Sequence, residues 1–282
     1  MSAVVLTSAL PPRRRSWTLL VGLVLVSVVV ATALVSLVWL PFDPSDTSGT
    51  RLEGPNATHW LGTDKLGRDL ATQLMIGARI ALTVGLGSVA VGAVIGISVG
   101  LVAAFAASWL DDTISAALDV VIAFPVLLLA MLIVAAQGAS LGSVILAIGL
   151  AMSAIVARLT RVLTKRVLGE QFVTAARTSG TRWPGIVARH ILPNIWPTLS
   201  VNLALQFGVA VLAEASLSYL GLGAPPPNAS WGRLLQEAQG TVVTAPVGAI
   251  APGLALVALV IGVNFVADGL RDVADPSRRR SR

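Results

Sequence analysis

Few side chains in this 282-residue sequence are equipped for chemistry, and their spacing shortens the list further. The two lysines, Lys65 and Lys165, follow Asp64 and Thr164, so neither sits in a G-x-x-x-x-G-K-[ST] phosphate loop. There is no cysteine and there are two histidines, which excludes disulfides, thiolate metal sites and a Cys/His dyad, and leaves no set of ligands for zinc. Paired carboxylates of the glycosidase kind find no water-facing cleft in so apolar a chain. What remains is a handful of polar groups embedded in apolar runs: Arg79, Asp119, Arg158, Asn202, Gln206, Glu214 and Asn264. Charges in lipid are costly, so they should face protein or water and pair with one another. Asp119 with Arg158 reads as a salt bridge between neighbouring helices. Arg79 and Glu214 are expected near the outer ends of the second and fifth helices, with a gate and a helix-holding pair as equal readings for Glu214. Asn202, Gln206 and Asn264 suit either a polar path or interhelical glue.

The elements that must position these groups are membrane spans. The chain is 55% hydrophobic and 12% charged, with mean hydropathy +0.82. Soluble domains carry about 25% charged residues, so the bilayer is the solvent here. Trp17–Leu40 is long enough to cross, at ~1.5 Å per residue, a hydrocarbon core of ~30 Å. Arg13-Arg14-Arg15 before it and Ala31-Thr32-Ala33 within it imitate a signal peptide, but the apolar run continues past that site and reads as a retained first span. Further spans are expected at Ile80–Ala107, Thr113–Gln137, Ala139–Ala157, Ile191–Ala213 and Val242–Ala267, with Trp109–Asp112 a short turn. The fold class is therefore all-α integral membrane, with six transmembrane helices and both termini on one side. Of the 20 Lys and Arg residues, 15 fall on the side that holds the termini and the segment 158–190, which assigns that side to the cytoplasm. The net charge of +6 and pI near 11.1 are then mainly topology rather than a sign of nucleic acid, and the arginines of the tail anchor to lipid.

The domain plan follows: a cytoplasmic N-terminus 1–16, a first helix 17–40, an extracytoplasmic loop 41–75, a core 76–267 and a basic tail 268–282. The loop contains LGTDKLGRD, whose Gly62, Gly67, Asp64 and Asp69 read as turns and caps; its His59 reads as a plain loop residue. Gly92, Gly96 and Gly100, four apart, make a smooth face for a partner helix, either span five of this chain or a helix of another subunit, with an intrachain partner favoured. The outer stretch Leu217–Ala245 holds Pro225-Pro226-Pro227, a polyproline strut, beside Trp231 and a short helix near Leu234–Gln239. Trp231 and Gln236 are expected to face an extracytoplasmic partner, with a headgroup anchor as the alternative for Trp231. In the cytoplasmic segment, Glu170–Ser179 suits a short helix ended by Gly180 in the left-handed conformation. Thr181 suits the N-cap of a second one, with Pro184 in its first turn.

Thr174-Ala175-Ala176-x-x-x-Gly180, followed by His190-Ile191-Leu192-Pro193, resembles the "EAA" loop of bacterial ABC-importer permeases. LGTDKLGRD, Ala123–Pro125, ARHILPN from Ala188, LAEASLSYLGLG from Leu212, Ser230–Gly232 and DGLRDVADP from Asp268 are similar to the second permease of dipeptide, oligopeptide and nickel importers. The resemblance implies a type I ABC-importer permease fold. It also implies a coupling role for Glu170, Thr174, Ala175, Ala176, Gly180, His190, Leu192 and Pro193, docked in a cleft of a cytoplasmic ATPase. The implied partners are a sister permease, two ATPase subunits and an extracytoplasmic binding protein. ATP and magnesium are held by the ATPases, and this chain binds no cofactor and catalyses no reaction. Thr174 stands where the family usually has Glu, so the charge at that position is lost, with Glu170 one turn away. His190 replaces the general family's isoleucine but is familiar in the peptide branch. A secondary transporter would show internal repeats, and none is visible; a purely structural subunit needs neither a polar path nor a coupling loop.

Overall fold

The computed structural model describes residues 17–225 and 229–274, with side chains to Arg271. Arg13–Arg15, the second and third prolines of the Pro225–Pro227 run and the arginines from Arg278 onward lie outside the described residues. The described residues form ten α-helices and no strands: α1 (Trp17–Val38), α2 (Leu70–Phe105), α3 (Ser108–Ala123), α4 (Val126–Gln137), α5 (Leu141–Leu168), α6 (Gln171–Thr178), α7 (Trp183–Ile186), α8 (Leu192–Tyr219), α9 (Trp231–Ala238) and α10 (Val247–Ala274). Five stretches are long and apolar enough to cross a membrane, and α3 with α4 makes a sixth if a broken pair is counted.

That pair corrects the expected straight span Thr113–Gln137. α3 and α4 meet at 90°. Pro125 disfavours helical backbone at the residue before it, and Phe124 is extended, at φ −83° and ψ 132°. The expected turn Trp109–Asp112 is instead the first turn of α3, in which Leu110 N–H and Asp111 N–H both donate to Ala107 O.

α2 begins at Leu70, ahead of the expected Ile80, because Asp69 caps it by accepting from Thr72 N–H at 2.7 Å. Its 36 residues make a rod of about 54 Å, far longer than a ~30 Å core. α5 starts in a capping box between Ser140 and Ser143. It continues through Leu168, so the first part of the expected cytoplasmic loop is helix. The reason is an amphipathic extension: Leu159, Leu163 and Val167 face an apolar cluster while the charged residues between them face away.

α8 also starts earlier than a simple span, because the helical stretch from Trp183 runs through a π turn at Val187–Ile191. Pro193 has no N–H to donate and its ring crowds the carbonyl four residues back. The wider turn, closed by Leu192 N–H on Val187 O, accommodates both.

α2 and α5 form the central seam. A Cβ placed on Gly96 would lie 2.6 Å from Ser153 O, and one on Gly100 would lie 2.5 Å from Ala157 O. The glycine face is thus intrachain as expected, but its partner is α5, the fourth span, and not the fifth. The register settles the choice: the bare stripe of α2 meets the carbonyls of Gly149, Ser153 and Ala157, themselves four apart. Val84 of α2, Ile148 of α5 and Leu217 of α8 bury the core beside this seam.

Candidate functional site

The two short helices are seated on an apolar foundation. Val173 of α6, Ile186 of α7 and Ile191, Ile195 and Leu199 leading into α8 are buried together. They pack on Leu159, Leu163 and Val167 of α5 and on Ile97 and Leu101 of α2. The opposite side of α6 presents Phe172, Thr174, Ala175 and Arg177 to the exterior. Gly180 has φ +84°, and its N–H donates to Arg177 O while Thr181 N–H donates to Ala176 O. That is a Schellman end, and a β-branched residue at Gly180 would be strained there. Thr181 does not cap α7 as expected: Arg182 holds the N-cap position with no side-chain bond, because the helix starts at Trp183 with Pro184 just inside it. Glu170 is the N-cap of α6, but its carboxylate makes no capping bond.

Of the eight residues singled out here, Glu170, Thr174, Ala175, Gly180 and Pro193 are exposed, whereas Ala176, His190 and Leu192 are half-buried and hold the unit together. The His190 ring lies 6.1 Å from Phe172. A further contact was not anticipated from the sequence. Arg177 stacks on the Trp183 ring at 4.6 Å, and that ring meets Phe105, the last residue of α2, edge-on at 5.0 Å. Nothing local in the sequence joins Phe105 to Trp183, although the Arg177 to Trp183 spacing across Gly180 was a legible sign of a hairpin contact.

At the same end of the bundle Asp111 is clamped between two cations of α5. Arg161 donates to it in bidentate fashion at 2.5 and 2.8 Å, and Lys165, one turn on, donates to its second oxygen. Asp119 and Arg158 pair at 3.1 Å, as expected, but both side chains are about 60% exposed, so the bond alone adds little.

The remaining polar groups part company. Glu214, 2% exposed, accepts hydrogen bonds from Ser218 Oγ at 2.6 Å and from Ser230, which tie α8 to the start of α9. It does not pair with Arg79, whose guanidinium has no ion pair among the described residues. Two hydroxyls satisfy the carboxyl where it sits, and the arginine instead lines a cavity with residues of α1, α2 and α8. Asn202 Oδ1 and Gln206 Nε2 are buried without a hydrogen-bond partner among the described residues. Gly96-Ile97-Ser98-Val99-Gly100 spells a G-x-S-x-G string, but it lies inside α2 with Ser98 Oγ donating to Val94 O, so it forms no nucleophile elbow. Among the described residues no three His, Asp or Glu side chains gather as a metal ion would need.

The loop before α2 and α9 cover the other end. His59 Nδ1 lies 3.0 Å from Asp69 Oδ1, so this histidine helps fix the cap of α2 rather than being a plain loop residue. Arg68 and Arg233 both reach Glu237, at 2.7 and 3.0 Å, tying loop to helix. Trp231 is 2% exposed, its Nε1 donating to Leu74 O at 3.0 Å and its ring filling the space over Gly77. Both expectations for Trp231, partner contact and lipid anchor, are overturned. Gln236 is exposed and borders a cavity of about 300 Å³ with Arg233, Ser218 and Gly221.

Residues 92–280 match the family described as binding-protein-dependent transport system inner membrane components. The dipeptide transport system permease protein DppC of Alkalihalophilus pseudofirmus is 36% identical over 261 residues, 92% of this chain and 86% of that protein. The glutathione transport system permease protein GsiD of Pectobacterium atrosepticum is 41% identical over 224 residues, 79% of this chain and 74% of that one. A putative peptide transport system permease protein of Brucella suis is 39% identical over 98% of this chain and 92% of its own length. Among solved structures, the inward-facing MetNI methionine ABC transporter superposes with TM-score 0.61 at 21% identity, covering 72% of this chain and 96% of that one, a likeness of fold.

Proposed function

This chain belongs to the inner membrane components of binding-protein-dependent transport systems, and from that premise we propose that it forms half of the translocation path of an ATP-driven peptide importer. Its counterpart is a sister permease, and an extracytoplasmic binding protein delivers the cargo. Two cytoplasmic ATPase subunits, holding ATP and magnesium, do the catalysis. The chain resides in a bacterial inner membrane with α6 and α7 on the cytoplasmic side, the side favoured by the distribution of Lys and Arg.

The observation that carries this reading is the two-faced character of the α6–α7 unit. Its buried face is continuous with α2, α5 and α8 through Val173, Ile186 and Ile191. Its outward face offers Thr174, Ala175 and Gly180, small enough for close approach by another protein. Glu170 and Pro193 are exposed beside that surface, and the half-buried Ala176, His190 and Leu192 support it. A force applied there by an ATPase cleft reaches three long helices at once, which is what coupling requires. Asn202 and Gln206, with unspent hydrogen-bonding capacity, supply polar stations for a peptide backbone. Asp119 and Arg158 serve as a helix pair, and Glu214 as the fastener of α9 rather than a gate.

Relatives named for dipeptide, peptide and glutathione transport support a peptide cargo. Glutathione, itself a modified tripeptide, is the second reading, ahead of nickel chelates or haem. The test of the coupling reading is Gly180→Val in the assembled importer. Uptake of a labelled dipeptide should fall at least about tenfold while ATP hydrolysis persists, since the Schellman end needs positive φ. Normal uptake by a fully assembled Gly180→Val complex would refute it.

A further inference from the structure

One cavity stands outside everything assigned above. It has a volume of about 600 Å³ and opens between α1, α2, α8 and α10. On α1 its lining runs from Val26 to Leu37 and on α2 from Arg79 to Val89, while Leu203 and Phe207 of α8 form its back. The walls are hydrocarbon apart from Thr83 and a single charge, Arg79, which makes no ion pair among the described residues.

The placement of that charge is informative. α1 and α2 run antiparallel, joined by the loop 39–69, so the Arg79 end of the cavity is the Leu37 end. Leu37 is the penultimate residue of α1, whose 22 residues span about 33 Å, one hydrocarbon core. Trp39 and Trp60 lie just beyond it, half-exposed with rings 6.3 Å apart, as tryptophans do at headgroup level. The mouth of the cavity therefore lies at the membrane surface on the loop side. From there it descends alongside Val26–Leu37, about 16 Å, which is the depth of one leaflet.

A groove one leaflet deep, hydrocarbon-walled but for Thr83, with a guanidinium at its mouth that has no ion pair among the described residues, has the charge and shape of a single lipid. We propose that it binds one anionic phospholipid of the loop-side leaflet, the phosphate on Arg79 and an acyl chain along α1 and α2. A guanidinium recognises phosphate oxygens in a fork that a zwitterionic headgroup offers less favourably overall, because its own cation competes. The lipid completes the contact between α1 and the rest of the bundle, where protein atoms leave space. This assignment rests on the chain's spanning a membrane and not on what the importer carries.

The test uses the assembled complex, delipidated in detergent and then exposed to vesicles of phosphatidylglycerol or of phosphatidylcholine, with retained lipid counted by mass spectrometry. The wild-type complex should retain phosphatidylglycerol in preference. Arg79→Gln should lower that retention about fivefold, the scale of one basic side chain at an anionic lipid surface, and Arg79→Lys should largely preserve it. Leu86→Trp should abolish retention by filling the groove while leaving the charge in place. Equal retention of the two lipids by the wild-type complex, or no change in Arg79→Gln, would overturn the assignment. So would a Leu86→Cys variant that crosslinks efficiently to the sister permease, since the groove would then be a protein interface.

Discussion

Consider alanine at each of the three seam glycines in turn. A Cβ on Gly96 would stand 2.6 Å from Ser153 O and 2.6 Å from Val156 Cβ. The first of these is backbone and cannot rotate away, so restoring ordinary contact at 3.4 Å means withdrawing α5 by about 0.8 Å. Gaps of ~0.5–1 Å forfeit a quarter to a half of each dispersion contact along the seam, and overpacking of this kind costs ~1–3 kcal/mol. Against that, alanine recovers at most ~1 kcal/mol of helix propensity. Gly96→Ala should therefore be destabilising by about 1–2 kcal/mol, and Gly100→Ala, 2.5 Å from Ala157 O, should match it. At Gly92 the nearest atom is Gly149 O at 3.1 Å and the next is at 3.7 Å, so a shift of a few tenths of an ångström suffices. There the propensity gain offsets the strain, and Gly92→Ala should be neutral or slightly stabilising. The assay is the temperature at which the detergent-purified complex loses its monodisperse elution peak, measured for the three variants side by side. If the glycines serve flexibility instead of close approach, all three alanines stiffen α2 alike. Equal midpoints for Gly92→Ala and Gly96→Ala, or a stabilised Gly96→Ala, would refute the packing argument.

Three further outcomes are expected. Asp111→Asn strands Arg161 and Lys165, and should destabilise the complex by ~1–3 kcal/mol, below the cost of a fully buried pair because Lys165 is 42% exposed; an unchanged midpoint would show that the clamp is idle. Trp231→Ala empties the space over Gly77 and should destabilise by ~3–5 kcal/mol, whereas Gln236→Ala on the same helix should leave stability unchanged and is the position from which crosslinks to the binding protein should form; equal effects on stability would contradict the buried placement. Gln206→Leu removes an unsatisfied amide and should hold or raise stability; if uptake nevertheless falls several-fold, the amide contacts cargo, and if both are unchanged it is inert.

Much of this was legible in the chain because it is local. The apolar runs follow from the cost of unpaired backbone in lipid. The Asp69 cap and the left-handed Gly180 depend only on neighbours within four residues. What escaped has two physical sources. Hydropathy measures solvent and not direction, so the run across Pro125 looked like one span although its backbone turns through 90°. For the same reason the charged end of α5 looked like a loop, while Leu159, Leu163 and Val167 kept the helical period. The second source is distance along the chain. Four-residue glycine spacing announces a smooth face without naming its partner, and α5 differs from α8 only in which residues meet it. Trp231 reads as a surface residue until Gly77 and Leu74, more than 150 positions earlier, are brought beneath it. Charge alone suggests Arg79 as a partner for Glu214, but Ser218 and Ser230 take that role.

The two tryptophans that grip α2 have a mechanical consequence. Trp231, carried by α9, rests on Gly77, and Trp183, carried by α7, abuts Phe105. Those grips are 28 residues apart on one unbroken helix, about 42 Å. α2 is thus a connecting rod with a bearing at each end, and the glycine seam lets α5 lie close along its second half. Tilting such a rod about a point midway moves its two ends in opposite senses, so an inward push at α7 arrives at α9 as an outward one. Paired spin labels at Arg182 and Gln236 would register the reversal as anticorrelated shifts relative to the mid-seam of α5, and shifts of the same sense would exclude it.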